Sequence, residues 1–210
     1  MFEVECKGAN AVVLTTKSTK VMIDSALSVV GLKDLKTDGA VAMATEPRLL
    51  GEVAGAKVAI DGPGEYEVGD VGIIGLPAQR HLDADGKAAT IYRLTIGDTR
   101  LAVIGNIAPK LSDDQLEAIG VIDVVVVPVG GGGYTLDPTA AAAMVRQLDP
   151  KVVIPVHYAD SGLTYEVPQA ELAVFVTELG APVIEAGAKW KLKQASALPE
   201  QLKLVKIDRS

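Results

Sequence analysis

The stretch that most constrains this fold runs from residue 123 to 158 and predicts two buried strands joined by a helix. An apolar, β-branched run at Val124–Val127 precedes a glycine string at 130–133, and a second run, Lys151–Val156, ends at His157. Such runs without alternation are typical of strands that are buried on both faces. The glycines allow the chain to turn where a side chain would clash.

The helix between these strands has its own start and stop signals. Asp137 offers a side-chain oxygen at the N-cap, and Pro138 suits the first helical position. Asp149-Pro150 ends the helix, because proline disfavours the helical conformation for the residue before it. Strand, helix and strand predict a right-handed βαβ unit, and α/β proteins place their sites at the carboxyl ends of such strands.

Composition limits the class of protein. A chain of 210 residues predicts one domain, 1–210, with a sizeable core, and its 49% hydrophobic content with only 4% aromatics predicts a core of aliphatic side chains. The net charge of −7 argues against nucleic acid or an anionic membrane as partner. A lone cysteine, Cys6, fits a reducing compartment. Without a signal-like or membrane-spanning segment, the expected location is cytoplasmic.

The rest of the chain predicts many short strands and few helices. Short runs separated by turns predict a meander over residues 1–24, and Gly97-Asp98 predicts a hairpin over 90–104. Ser112 and Gln115 resemble a capping box that opens a short helix. A further helix is predicted over Pro168–Leu179. This pattern alone indicates an α/β or α+β protein.

Four motifs make the chain similar to a known family. They are Asp123-Val-Val-Val-Val-Pro-Val-Gly-Gly, Tyr134-Thr-Leu-Asp-Pro, Pro150-Lys-Val-Val-Ile-Pro-Val-His-Tyr and Gly62-Pro-Gly-Glu-Tyr-Glu-Val. With them the chain resembles the metallo-β-lactamase-fold hydrolases, in their cytoplasmic, ascorbate-lactonase-like branch. The resemblance covers nearly the whole chain and implies an αββα sandwich of two mixed sheets with outer helices. It also implies that the glycine string is a turn beside the site.

The resemblance implies where a two-metal centre would lie. Such hydrolases hold two ions roughly 3.5–4 Å apart with imidazoles and carboxylates. The family uses His-x-His-x-Asp-His, a later histidine, an aspartate and a final histidine. Aligned on Pro47, the motif positions fall on Ala44, Glu46, Arg48 and Leu49, and the later aspartate falls on Asn106. Arg48 would place a permanent cation where a metal should bind, and we expect it to pair with Glu46 or another carboxylate of the pocket.

The chain contains only two histidines, His81 and His157. With one cysteine they cannot furnish a full dinuclear site. A mononuclear zinc site would need both histidines and a carboxylate such as Glu46. Otherwise His81 is a solvated loop residue, and His157 either caps a strand end by hydrogen bonding or lines a crevice. The pocket implied by the resemblance comprises Ala44, Glu46, Arg48, Leu49, His81, Asn106, Gly131, Gly132, His157 and Tyr158.

Two function classes follow. The first is a homologue of metal-dependent hydrolases that has lost most metal ligands, needs no cofactor, and serves a binding or regulatory role. The alternative is a hydrolase with a reduced site, either mononuclear zinc or metal-free, that uses His157, His81 and Glu46 with Tyr134 or Tyr158. An unrelated activity on the same fold is a third reading. The expected partner is a small molecule or a protein rather than nucleic acid or membrane, and a homo-oligomer stays open.

Overall fold

Two mixed β-sheets form in residues 1–82 and 88–210, the part of the chain that the computed structural model describes. The first sheet has six strands in the order β13-β1-β2-β3-β4-β5, and the second has eight in the order β12-β14-β11-β10-β9-β8-β7-β6. The strands are β1 Phe2–Gly8, β2 Ala11–Thr15, β3 Lys20–Ile23, β4 Val41–Met43, β5 Val58–Ile60, β6 Gly64–Val68, β7 Val71–Gln79, β8 Ala88–Ile96, β9 Thr99–Val103, β10 Val124–Pro128, β11 Val152–Val156, β12 Val183–Glu185, β13 Trp190–Leu192 and β14 Lys203–Lys206.

The strand pairings confirm the main sequence predictions. β1, β2 and β3 are antiparallel neighbours, as the predicted meander requires. β10 and β11 are parallel, with Val124 opposite Val152, as a βαβ unit requires. The predicted hairpin over 90–104 is β8 paired antiparallel with β9, with Ile96 opposite Thr99.

Three α-helices lie in the described ranges: α1 Asp113–Ile119, α2 Pro138–Leu148 and α3 Leu172–Leu179. The capping box at the start of α1 and the Asp137 N-cap of α2 are both present. The predicted start of the last helix at Pro168 is wrong, since α3 begins at Leu172. The Ala170 amide instead donates to the Gly130 carbonyl at 2.7 Å, so its backbone serves the glycine turn and not a helix. None of the described helices is long and apolar enough to cross a membrane.

Alternation along the strands builds two apolar layers and confirms the sandwich. Val126 packs with Val4 and Val12 in a core between the sheets. Val125 and Val127 point to the other face of the same strand and pack against helix residues such as Val145. The outer face of the first sheet is covered more thinly, by a 3-10 helix at Leu27–Val30 and the loop that follows it.

Strand ends bring polar residues to one edge of the sandwich. Asp24 follows β3, Glu46 follows β4, Asn106 follows β9 and His157 follows β11. β3 is parallel to β4, and β9, β10 and β11 are mutually parallel. Parallel strands end at a common edge, so residues far apart in sequence meet there.

Candidate functional site

A row of hydrogen bonds joins three of these polar side chains, Glu46, Asn106 and His157, through a fourth, Asn10. Asn106 donates from Nδ2 to Glu46 Oε1 at 2.9 Å. Asn10, in the turn after β1, donates from Nδ2 to Asn106 Oδ1, also at 2.9 Å. Asn10 Oδ1 in turn lies 3.1 Å from His157 Nδ1. Glu46 and His157 are therefore the two ends of one buried network.

Glu46 meets two guanidinium groups at its end of the network. It is 2% exposed, and its Oε2 lies 2.9 Å from Arg48 Nε and 3.0 Å from Arg80 Nε. The predicted pairing of Arg48 with Glu46 is confirmed. Arg48 also donates to the Tyr134 hydroxyl, and its guanidinium lies 5.1 Å from the centre of the Tyr134 ring. The carboxylate is thus compensated by side-chain cations.

His157 at the other end is held between two aromatic rings. The Tyr134 ring stacks at 5.8 Å and the Tyr165 ring lies tilted at 5.1 Å between centroids. The backbone amide of His157 donates to the Ala9 carbonyl at 3.0 Å. Burial, followed by the positive charge of Arg48, lowers the pKa of His157 to about 4. The imidazole is therefore neutral at pH 7.

Asp24 is a second buried titratable group and lines the same cleft as His157. Its two carboxyl oxygens accept from the Thr45 amide and the Thr45 hydroxyl, both at 2.7 Å. Burial raises the pKa of Asp24 to about 7, although the two Thr45 hydrogen bonds act in the opposite direction. The candidate site residues predicted from sequence did not include Asp24. The available signal was its place at the end of a buried strand, in Ile23-Asp24-Ser25.

Backbone strain is concentrated at the same place. In the described ranges four residues other than glycine have positive φ: Ala9 at 46°, Asp24 at 53°, His157 at 51° and Asp149 at 46°. Asp149 ends α2, whereas the other three line one cleft. Each such residue costs on the order of 1 kcal/mol, and strain of this kind clusters at functional sites.

The cleft is narrow and partly open to solvent, so that the space of about 500 Å³ around its lining residues includes bulk solvent. Its polar wall comprises Asn10, Asp24, Asn106, Tyr134, His157, Tyr165 and Gln169. Its apolar wall comprises Leu27, Val29, Val30, Leu49 and Val167. Such a mixture suits a small molecule with an apolar body and a few polar groups.

His81 does not join this cleft, although the resemblance placed it in the pocket. Its Nδ1 lies 3.2 Å from the Ile107 carbonyl, and its backbone amide donates to the Asn106 carbonyl at 2.9 Å. Ala44 is fully buried, and its carbonyl accepts from the Tyr92 hydroxyl at 3.0 Å. Leu49 does line the cleft, as an apolar residue.

The glycine string does form a turn beside the cleft. Gly131 and Gly132 have φ of 70° and 68°, which favours glycine, and a Cβ on Gly132 would lie 2.6 Å from the Pro168 carbonyl. Tyr158 lies next to His157 in the chain but lines neighbouring surface depressions instead of this cleft. Its carbonyl accepts from the Tyr165 hydroxyl at 2.8 Å.

A metal centre does not fit these residues. Glu46 is already compensated by Arg48 and Arg80, and Nδ1 of His157 is committed to Asn10. Among the residues that the structure describes, no group of three His, Cys, Asp or Glu side chains is placed to hold an ion. The alternative set of His81, His157 and Glu46 is not brought together.

Opposite pKa shifts predict that two variants will have opposite pH profiles. The native pKa of Asp24 lies above its ordinary value of 3.8, so its contribution to stability is present at low pH and is lost as pH rises towards 7. The native pKa of His157 lies below 6.5, so its contribution is lost as pH falls towards 4. Relative to wild type, Asp24→Asn should lose stability as pH falls from 6.5 to 4, and His157→Gln should gain it. Urea unfolding at four pH values measures both, and parallel profiles would contradict the assignment.

Comparisons with known proteins identify the superfamily and the fold. Residues 3–157 match the family model described as a beta-lactamase superfamily domain. A protein of the metallo-beta-lactamase superfamily from Thermotoga maritima, proposed there to be a Zn-dependent hydrolase, is 22% identical, with a TM-score of 0.76 and 99% of each chain covered. A metallo hydrolase from the archaeon Ignicoccus hospitalis is 19% identical, with a TM-score of 0.62 over 85% of this chain and 90% of that one. No curated protein matches.

Proposed function

Since this chain belongs to the beta-lactamase superfamily, we propose that it is a metal-free member with a binding or regulatory role. It uses the cleft at His157 to hold a small molecule and does not hydrolyse one by metal catalysis. Single-domain organisation, a cytoplasmic location and membership of the ascorbate-lactonase-like branch are parts of the same proposal. They rest on the sequence motifs, the length and the single cysteine.

The observation that carries the proposal is the environment of Glu46. In a metal centre a carboxylate at this position would face a dication, and here it faces Arg48 and Arg80 at about 3 Å. Guanidinium groups stay protonated at all relevant pH values. A divalent ion that entered this space would meet two fixed positive charges.

The second observation that supports the proposal is that buried polar side chains line the cleft and are held in place. Asn10, Asp24 and His157 are buried polar residues, and Asn10 and His157 hold each other by hydrogen bonding. A site that had merely decayed would gain nothing from left-handed backbone at Asp24 and His157. We take the retained strain as support for a bound ligand.

A hydrolase with a reduced site is less well supported. It would need His81 and Glu46 to be available near His157. His81 instead faces the Ile107 carbonyl, and Glu46 is tied to its two arginines. We therefore favour the binding role.

We predict that divalent metal will not stabilise the protein. A ligand that binds only the native state raises its stability by mass action. Thermal unfolding with EDTA, without additions and with a twofold excess of ZnCl₂ should therefore give the same melting temperature. A fall of several degrees with EDTA, or a matching rise with zinc, would contradict the proposed function.

A further inference from the structure

We infer that the cleft binds an uncharged small molecule through an O–H or N–H group donated to Nε2 of His157. The inference rests on the proposed metal-free function. His157 then accepts a hydrogen bond from the bound molecule, instead of coordinating a metal ion. The direction of each hydrogen bond between Glu46 and His157 determines which nitrogen of the imidazole carries the proton.

The carboxylate of Glu46 fixes the orientation of the first amide. A carboxylate only accepts hydrogen bonds, and Glu46 Oε1 lies 2.9 Å from the Asn106 side chain. Asn106 must therefore present its NH₂ group to Glu46, because the opposite orientation would place two acceptors together. Its oxygen then faces Asn10.

The orientation of the Asn106 side-chain amide fixes that of Asn10, which in turn fixes the protonation of the His157 imidazole. Asn106 presents an oxygen, so Asn10 must present NH₂ to it, at 2.9 Å. The remaining oxygen of Asn10 faces His157 Nδ1 at 3.1 Å. An amide oxygen cannot donate, so Nδ1 must carry the proton. A neutral imidazole has one protonated nitrogen, which leaves Nε2 with a free lone pair.

That lone pair has no partner from the protein. Across residues 1–82 and 88–210, no protein group forms a hydrogen bond with Nε2 of His157. Nδ1 faces Asn10, so Nε2 is the ring nitrogen left for a ligand, and His157 lines this cleft and one neighbouring depression. Tyr134 and Tyr165 flank the ring and restrict its rotation. A ligand donor can therefore bind at a preset position, which reduces the entropy lost on binding.

The charges around the cleft favour an uncharged ligand. Arg48 is paired with Glu46, and burial raises the pKa of Asp24, the carboxyl that lines the cleft, to about 7, so neither offers a full charge to a ligand at pH 7. Glu166 lies on the exposed rim and disfavours an anion. The apolar wall around Leu49 suits a compact hydrocarbon body.

The tautomer is tested by NMR on ¹⁵N-labelled protein at pH 7. Long-range ¹H–¹⁵N correlation distinguishes protonated from unprotonated imidazole nitrogens, and the chain has only two histidines. His81→Gln removes the correlations of His81, and the remaining set is therefore that of His157. We expect His157 to be protonated at Nδ1 alone. A proton on Nε2 in metal-free wild-type protein overturns the inference.

One substitution tests whether Asn106 and Asn10 determine the tautomer of His157. Asn106→Leu keeps a side chain of similar size and frees Asn10 to reorient, so the preference of His157 for the Nδ1–H tautomer should weaken. His81→Gln serves as the matched control and should leave the His157 pattern unchanged. If Asn106→Leu folds and keeps the pure Nδ1–H pattern, Asn106 is not a positioning residue. If the variant does not fold, the wild-type tautomer still decides the question.

The ligand class is tested with matched probes that differ by one hydrogen-bond donor. The pairs are phenol with anisole and 2-piperidone with N-methyl-2-piperidone, titrated while the ¹⁵N shift of His157 Nε2 is followed. The donor of each pair should bind roughly fivefold more tightly, which is the usual size of one neutral hydrogen bond. Equal binding within both pairs, or no binding of any donor, overturns the inference. If benzoate or benzylammonium binds more tightly than phenol and 2-piperidone, the inference that the ligand is uncharged is overturned.

The two proposals fail in different ways. Binding of ZnCl₂ with a melting-temperature rise would refute the metal-free function whatever the tautomer is. If His157 is protonated at Nε2 and zinc leaves the melting temperature unchanged, only the inference about the ligand is refuted.

Discussion

Glu46→Ala should lower the free energy of unfolding by about 3 kcal/mol, because it leaves two guanidinium groups without their carboxylate. We expect the low end of the range for broken buried pairs, since the Arg48 side chain is 33% exposed and can turn to water. The Arg80 side chain is only 19% exposed and has less freedom to do so. Asn106 would also lose the acceptor of its amide.

Chemical unfolding in urea at pH 7 measures this loss. Glu46→Gln is the conservative variant: it keeps the acceptor for Asn106 but removes the charge, and should fall between wild type and Glu46→Ala. Glu65→Ala removes an exposed carboxylate from an edge strand and should change stability by less than about 0.5 kcal/mol. A Glu46→Ala effect as small as that of Glu65→Ala would contradict the network described here.

Val126→Asp should prevent stable folding at 25 °C. Val126 is 1% exposed, lies in the core between the sheets and belongs to a strand that is paired on both sides. An unpaired carboxylate there costs several kcal/mol, a large part of the 5–15 kcal/mol that stabilises an ordinary domain. Circular dichroism and size-exclusion chromatography should show an unfolded or aggregated chain.

Two variants separate burial from the change of residue type. Val121→Asp introduces the same carboxylate at a position that is 72% exposed, and should melt within a few degrees of wild type. Val126→Ala removes two methyl groups without adding charge and should cost about 2 kcal/mol. Equal melting temperatures for Val126→Asp and Val121→Asp would contradict the placement of β10 in the core.

Local sequence signals predicted most elements of the fold. Asp137-Pro138 and the Ser112 capping box act within one turn of helix, so they can be read from the sequence without tertiary information. The start of α3 could not be read in this way. It depends on a hydrogen bond between Ala170 and Gly130, which are 40 residues apart in the sequence.

The candidate site was predictable only in part. The Arg48–Glu46 pair follows from a spacing of two residues and from opposite charge. Asn10, Arg80 and Tyr165 carry no local signal, because their roles depend on which strand ends meet. For His81 the sequence left a loop and a ligand position open, because the choice depends on the fold around it.

We propose that two arginines stand in place of metal ions at Glu46, and the metal content of the purified protein tests this proposal most directly. The protein should be purified without chelators or affinity metals and analysed for zinc, iron and manganese by mass spectrometry. The related Thermotoga maritima protein, prepared in the same way, serves as the comparison. We predict well under one equivalent of transition metal per chain. One or two equivalents that survive gel filtration would contradict the claim.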